Sequence, residues 1–219
     1  MSHDSSQPSL WDQRFDRPDY LFGTAPSVFL TRHAHHLPPG STVLAVADGE
    51  GRNSVWLAGQ GMQVTAMDNS ERGLEKARAL AKKHSASVDF QFGDVTRWDW
   101  AAKTYDAVAA IFIQFTGPDL RAQVFRGLNT ALKPGGLLLL HGFAPRQIEY
   151  GTGGPPHREN MYTLDLLHKA FAGYDVLHEA DYDEVIDSGP GHNGKAGLID
   201  FVARKPVARK PVCITPEAT

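Results

Sequence analysis

The stretch Thr42-Val43-Leu44-Ala45-Val46-Ala47-Asp48-Gly49-Glu50-Gly51-Arg52-Asn53 runs a short apolar strand into a Gly-x-Gly turn and then straight into a helix beginning at Arg52. Glycine at such a turn lets backbone N–H groups approach a ligand with no β-carbon in the way, and the following helix N-terminus adds a positive field. The same Asp48-Gly49-Glu50-Gly51 pattern also fits a plain structural bend. Its surroundings therefore decide the reading.

Outward from the turn, short apolar runs alternate with longer amphipathic ones from Thr42 to Leu140, the signature of a parallel sheet covered by helices. Strands are expected over Thr42–Ala47, Gln63–Asp68, Val88–Gln91, Tyr105–Ile111 and Leu137–Phe143. Glu71–His84 places Leu74, Ala77, Leu80 and Ala81 on one helical face, with Ser70 as N-cap. A second helix starts at Pro118 and stops before Pro134-Gly135-Gly136, and a shorter one covers Arg52–Gln60. Gln147–His157 reads as a loop able to act as a lid. A helix over Leu164–Phe171 precedes strands Asp175–Val185 and Ala196–Ala203, whose short connection makes them an antiparallel pair.

Composition narrows the partners. With 25 acidic and 22 basic residues spread evenly, a net charge of −3 leaves no basic stripe for nucleic acid. No apolar run approaches a membrane span, and Met1–Gln13 lacks the pattern of a secretory signal, so the expectation is a cytoplasmic protein. The one cysteine, Cys213, excludes an internal disulfide and a thiolate zinc site. No heptad or exposed apolar stripe points to an oligomer interface.

Two further strand ends carry chemistry. Asp68 closes the second expected strand about twenty residues after the turn, where a carboxylate accepts hydrogen bonds from both hydroxyls of an adenosine ribose. Phe92-Gly93-Asp94-Val95 closes the third, placing a carboxylate and an apolar side chain where an adenine would lie. Each alone is equally a turn. Together they fall in order at the C-terminal ends of consecutive strands, where open parallel sheets bind ligands. The dinucleotide fingerprint requires a third glycine where this chain has Ser54.

These motifs resemble the class I S-adenosylmethionine-dependent methyltransferases from about Trp11 to Arg204. Asp48–Asn53 is similar to the family's first motif, Asp68 to its ribose acid, Asp94-Val95 to its adenine-side pair, Asp106–Phe115 to its fourth strand, and Leu132–Gly136 to its turn before strand five. The resemblance implies an α/β, Rossmann-like, doubly wound and mostly parallel sheet of about seven strands with an antiparallel C-terminal pair. It further implies one domain over 1–205, an N-terminal helical cover at about 8–37, and a disordered tail at 206–219.

The implied S-adenosylmethionine-binding set is Phe22, Asp48, Gly49, Gly51, Arg52, Asp68, Asn69, Asp94, Val95 and Ile111, with S-adenosylhomocysteine as product and no metal. Trp11–Phe15, Tyr20–Thr24 and Tyr150–Pro155 resemble the bacterial tellurite-resistance and thiopurine methyltransferases, which implies a small soft acceptor such as a thiol or chalcogen oxyanion. Substrate-side candidates are Tyr20, Gln114, His141 and His192; no catalytic residue is singled out.

The chain departs from the family at Ala45, where an acid is usual, at Ala47-Asp48, where Gly-Cys is usual, and at Gln114, where His is expected. Asp48 or Glu50 is the candidate replacement for the missing acid. Trp11, Phe15, Tyr20 and Phe22 either cover the cofactor or pack an N-terminal helix. His33, His35 and His36 fall at a helix end, where solvation or the helix dipole accounts for them. A nicotinamide-dependent oxidoreductase and a non-catalytic S-adenosylmethionine-binding module are the alternative functions.

Overall fold

The computed structural model describes residues 9–207 and contains one seven-stranded sheet in the order β3-β2-β1-β4-β5-β7-β6. Strands β1 (Thr42–Val46), β2 (Gln63–Asp68), β3 (Val88–Phe92), β4 (Tyr105–Ile111) and β5 (Leu132–Phe143) run parallel. Strand β7 (Asn193–Arg204) is antiparallel to both β5 and β6 (Asp175–Asp187). The order reverses between β1 and β4, which opens a crevice at their C-terminal ends.

Alternation along β1 explains the layering. Leu44 and Val46 join a core with Val108, Leu138, Leu140 and the apolar stripe of α5 (Pro118–Ala131). Val43 and Ala45 face the other way, into a core with Ala66, Ala109, Phe29 of α2 (Val28–His33) and Leu57 of α3 (Arg52–Gly59). Helix α4 (Glu71–Lys83) is capped as its sequence requires, with Ser70 Oγ accepting from Gly73 N–H. A Ser9/Asp12 capping box starts α1 (Leu10–Phe15), and Ser70 Oγ donates to Asp12 Oδ1 at 2.7 Å, tying that helix to the start of α4.

Three expectations about elements change. Strand β5 begins at Leu132 rather than Leu137, because Leu132 pairs with Tyr105 and the backbone of Gly135 and Gly136 exchanges hydrogen bonds with Lys205. Gln147–Tyr150 forms one helical turn, α6, ended by left-handed Gly151, and the loop is confined to the residues after it. Strands β6 and β7 run longer than expected, the connection between them being a tight turn with Ser188 N–H donating to His192 O. Helix α7 (Leu164–Ala170) lies where expected. Of the expected disordered tail, 208–219 fall outside the described residues, as does Cys213.

Gly51 is fixed by packing. Its φ is +88° and a β-carbon there would lie 2.7 Å from Ala77 Cβ and 2.9 Å from Ala77 Cα, so α3 and α4 meet through this missing side chain. Gly51→Ala is expected to destabilise the fold by about 2–4 kcal/mol, the sum of left-handed strain and overpacking. Thermal unfolding of Gly51→Ala and of Gly51→Ala/Ala77→Gly measures this: the second change relieves the overpacking and restores part of the loss. Equal melting temperatures for the single variant and the parent would contradict the packing role.

Candidate functional site

The crevice is a cleft of about 340 Å³. Its floor is the glycine turn, pinned to the neighbouring strand: Asp48 N–H donates to Met67 O at 3.1 Å and Gly49 N–H donates to Asp68 Oδ2 at 2.8 Å. The other Asp68 oxygen accepts from Ser70 N–H at 2.9 Å. Two non-glycine residues are left-handed at the facing ends of β1 and β4, Ala47 at φ +48° and Phe112 at φ +57°, and both line the cleft. Backbone strain of this kind concentrates at functional sites.

Ten of the fourteen cofactor and substrate-side candidates line this cavity: Phe22, Asp48, Gly49, Arg52, Asp68, Asn69, Val95, Ile111, Gln114 and His192. Four do not. Gly51 packs on Ala77. Asp94 Oδ1 accepts from Thr96 N–H at 2.8 Å, a local turn. Tyr20 donates its hydroxyl to Lys76 O at 3.0 Å. His141 is buried behind the wall, with its Nδ1 2.7 Å from Asp200 Oδ1.

Charge in the cleft is unusual. Burial pushes Asp48 up to about 7, with Asp68 adding to the rise and Ser54 opposing it, and Asp48 Oδ2 is enclosed with no hydrogen-bond partner. Burial also raises Asp68, to about 6, against the pull of its backbone donors. Arg52 is lowered to about 10 by burial, and its guanidinium donates to Phe22 O at 3.0 Å. Glu50 is committed elsewhere: it accepts from Leu21 N–H at 2.7 Å and pairs with Lys76, clamping the N-terminal segment to the turn.

The opposite wall is aromatic. His192 lies 4.5 Å from Phe22, 4.6 Å from Phe112 and 5.2 Å from Phe143, ring centre to ring centre. Burial, with Arg52 and His141 adding to it, drops His192 to about 3, and its Nδ1 is enclosed without a partner. It is a neutral wall. Gln114 is structural, since its amide donates to Phe143 O at 2.8 Å and accepts from Phe143 N–H at 2.6 Å. Trp11, Phe15 and Phe22 all line the cleft, and Phe15 is also buried against the turn, 3.1 Å from where a Gly49 β-carbon would stand.

The loop expected to be a lid reaches the cleft through residues 153–157. Gln147 holds it, donating to Thr152 Oγ1 and Gly153 O and accepting from Gly197 N–H at 2.9 Å.

A methyltransferase domain profile matches residues 43–136, the span from β1 to the start of β5. The ubiquinone biosynthesis O-methyltransferase of Methylocella silvestris is 32% identical over 107 residues, 49% of this chain and 41% of the relative. The chain thus spans less than half the length of that relative. The thiopurine S-methyltransferase of Pseudomonas putida is 27% identical over 90% of this chain and 98% of its own. A solved structure concerned with conversion of a disulfide bond into a thioacetal group during echinomycin biosynthesis superposes with a TM-score of 0.70 at 19% identity, covering 89% of this chain and 87% of that one. Residues 43–136 form a methyltransferase domain.

Within that methyltransferase frame the missing acid has a physical explanation. Ala45 is 2% exposed and sits in register between Ala66 and Ala109, in the core that holds Phe29 and Leu57. A carboxylate there would be desolvated among apolar side chains. Cleft residues not singled out from sequence are Met67, Phe112, Phe143, Asn53 and Arg14, the last with its guanidinium 4.5 Å over Trp11. Adjacency to a strand end would have flagged Met67 and Phe112; Arg14 and Phe143 reach the site only through tertiary packing.

Proposed function

We propose that the chain transfers a methyl group from S-adenosylmethionine to a small, planar thiol. The observation that carries this reading is one cleft lined together by the glycine turn, Asp68 and the Asp48 carboxylate, whose Oδ2 has no partner. These residues fit the cofactor. Asp68 would hold the ribose, Val95 and Ile111 the adenine, and Asp48, all four of them lining the cleft, the ammonium of the methionine end. Gly49 keeps the floor open to close backbone approach, and Phe22 and Trp11 cover the sulfonium side. When bound, the cofactor supplies an electrophilic methyl carbon.

The acceptor class is set by what the wall lacks. A phenol or amine generally needs a base to take its proton, and His192, held near 3, is a poor one. An acidic thiol arrives with a thiolate fraction and needs only positioning, which by itself supplies several kcal/mol. Phe112, Phe143 and His192 pack on one another into an apolar wall against which a planar ring can lie. The likeness to a thiopurine S-methyltransferase over nearly the whole chain supports this choice.

Incubation with S-adenosylmethionine and a panel of aromatic thiol, phenol, amine and tellurite, read by S-adenosylhomocysteine formation, tests the proposal. Turnover is expected with the thiol, and His192→Phe is expected to keep kcat within about threefold because only a wall is replaced. A loss of 100-fold or more in that variant would make His192 a base and overturn the acceptor assignment. Thermal protection by NAD and not by S-adenosylhomocysteine would instead support an oxidoreductase, and cofactor binding without turnover a binding module.

A further inference from the structure

A second constellation lies where α2 covers the sheet, and three distant parts of the chain meet there. His33 ends α2, His178 lies on β6 and Asp200 on β7, and each offers a ligand atom within 4.8 Å of the others. Both imidazoles and the carboxylate share one face because Asp200 and Val202 alternate with the intervening residue along β7 and His178 pairs with Val202. The His33 and His178 rings are 4.4 Å apart.

Several features suit this cluster to a cation. His33 is 8% exposed and its Nδ1 is enclosed without a hydrogen bond, a cost that a ligand would remove. Asp200, 2% exposed, has Oδ1 2.7 Å from His141 Nδ1, an outer contact that orients a ligating carboxylate, while Oδ2 lies 3.7 Å from His178 Nε2. The adjacent Arg32 is engaged by Glu184 at 2.9 Å.

We propose that His33, His178 and Asp200 form a binding site for a divalent transition-metal ion of the zinc class. Two imidazoles and one carboxylate make a three-ligand set with one open position. Tetrahedral ligation needs donor atoms about 3.3 Å apart, and the half-exposed His178 side chain has room to close the remainder. The ion would staple α2 to the antiparallel pair β6 and β7. Its effect reaches the cleft wall, because His141 meets the cleft-lining Phe112 edge-on at 4.7 Å.

The test uses the full chain, prepared without a metal-affinity tag, stripped with chelator and titrated with zinc alone by calorimetry. One ion per chain is expected, with a rise in melting temperature. His178→Ala and Asp200→Asn should each weaken binding at least about tenfold and abolish the thermal shift, whereas His168→Ala and Cys213→Ser should leave both unchanged. His178 is half exposed, so its removal keeps the fold intact if Asp200→Asn does not. No zinc binding by the parent, or equal binding by His178→Ala, overturns the site.

Discussion

Asp68→Ala is expected to weaken S-adenosylhomocysteine binding by about 100-fold or more in isothermal titration. Each charge-assisted hydrogen bond from a ribose hydroxyl to this carboxylate contributes about 1.5–3 kcal/mol, and about 3 kcal/mol in total corresponds to two decades of affinity. The substitution also frees Gly49 N–H, which holds the turn against β2, and Ser70 N–H, in the bend that follows β2. That structural part is separable. Asp68→Asn retains an acceptor for one backbone donor and is expected to lose less melting temperature than Asp68→Ala while still losing about tenfold or more in affinity, because the charge is gone. An unchanged dissociation constant in both variants would remove Asp68 from the cofactor site.

The glycine turn and Asp68 were legible in sequence because their work is local: strand, turn and helix succeed one another, and the cleft forms where successive strands end. Candidates whose side chains are committed to the fold owe those contacts to partners far along the chain. Gly51 answers to Ala77, Tyr20 to Lys76, His141 to Asp200 and Gln114 to the Phe143 backbone. His33 is the clearest case. As a helix-end histidine it reads as solvated, yet β6 and β7 bury it against His178 and Asp200, which no local pattern announces.

Asp94 shows the opposite, a contact made locally. Its Gly-Asp spacing matches the expected adenine-side pair, but the carboxylate turns back to Thr96 N–H and leaves Val95 alone on the cleft wall. A motif fixes where a residue lies along a strand end. It does not fix which way a short side chain turns when a backbone donor two residues on competes for it.

The pH dependence of Asp48 provides the sharpest test of how the methionine end is held. In the free protein this carboxyl is raised to about 7 from an ordinary 3.8, so the folded state binds its proton more tightly than the unfolded chain. Its contribution to stability is therefore fully present below pH 3.8 and is lost as pH rises through about 7. The difference in unfolding free energy between parent and Asp48→Asn is expected to shift by on the order of 2–4 kcal/mol across that window, the parent losing ground. An ammonium group brought to Asp48 Oδ2 reverses the balance by favouring the charged form. Affinity for S-adenosylhomocysteine should thus rise about tenfold per pH unit below pH 7 and level off above it. Between pH 6.5 and 8 Asp68 is mostly ionised, so Asp48 dominates the slope. Asp48→Asn should bind more weakly at pH 8 and with a flat profile, while adenosine, which lacks the amino-acid end, should bind parent and variant alike. A profile that stays steep in Asp48→Asn, or an equal loss of adenosine binding, would show that the orphan carboxylate does not serve the ammonium and that the replacement for the acid absent at Ala45 lies elsewhere in the cleft.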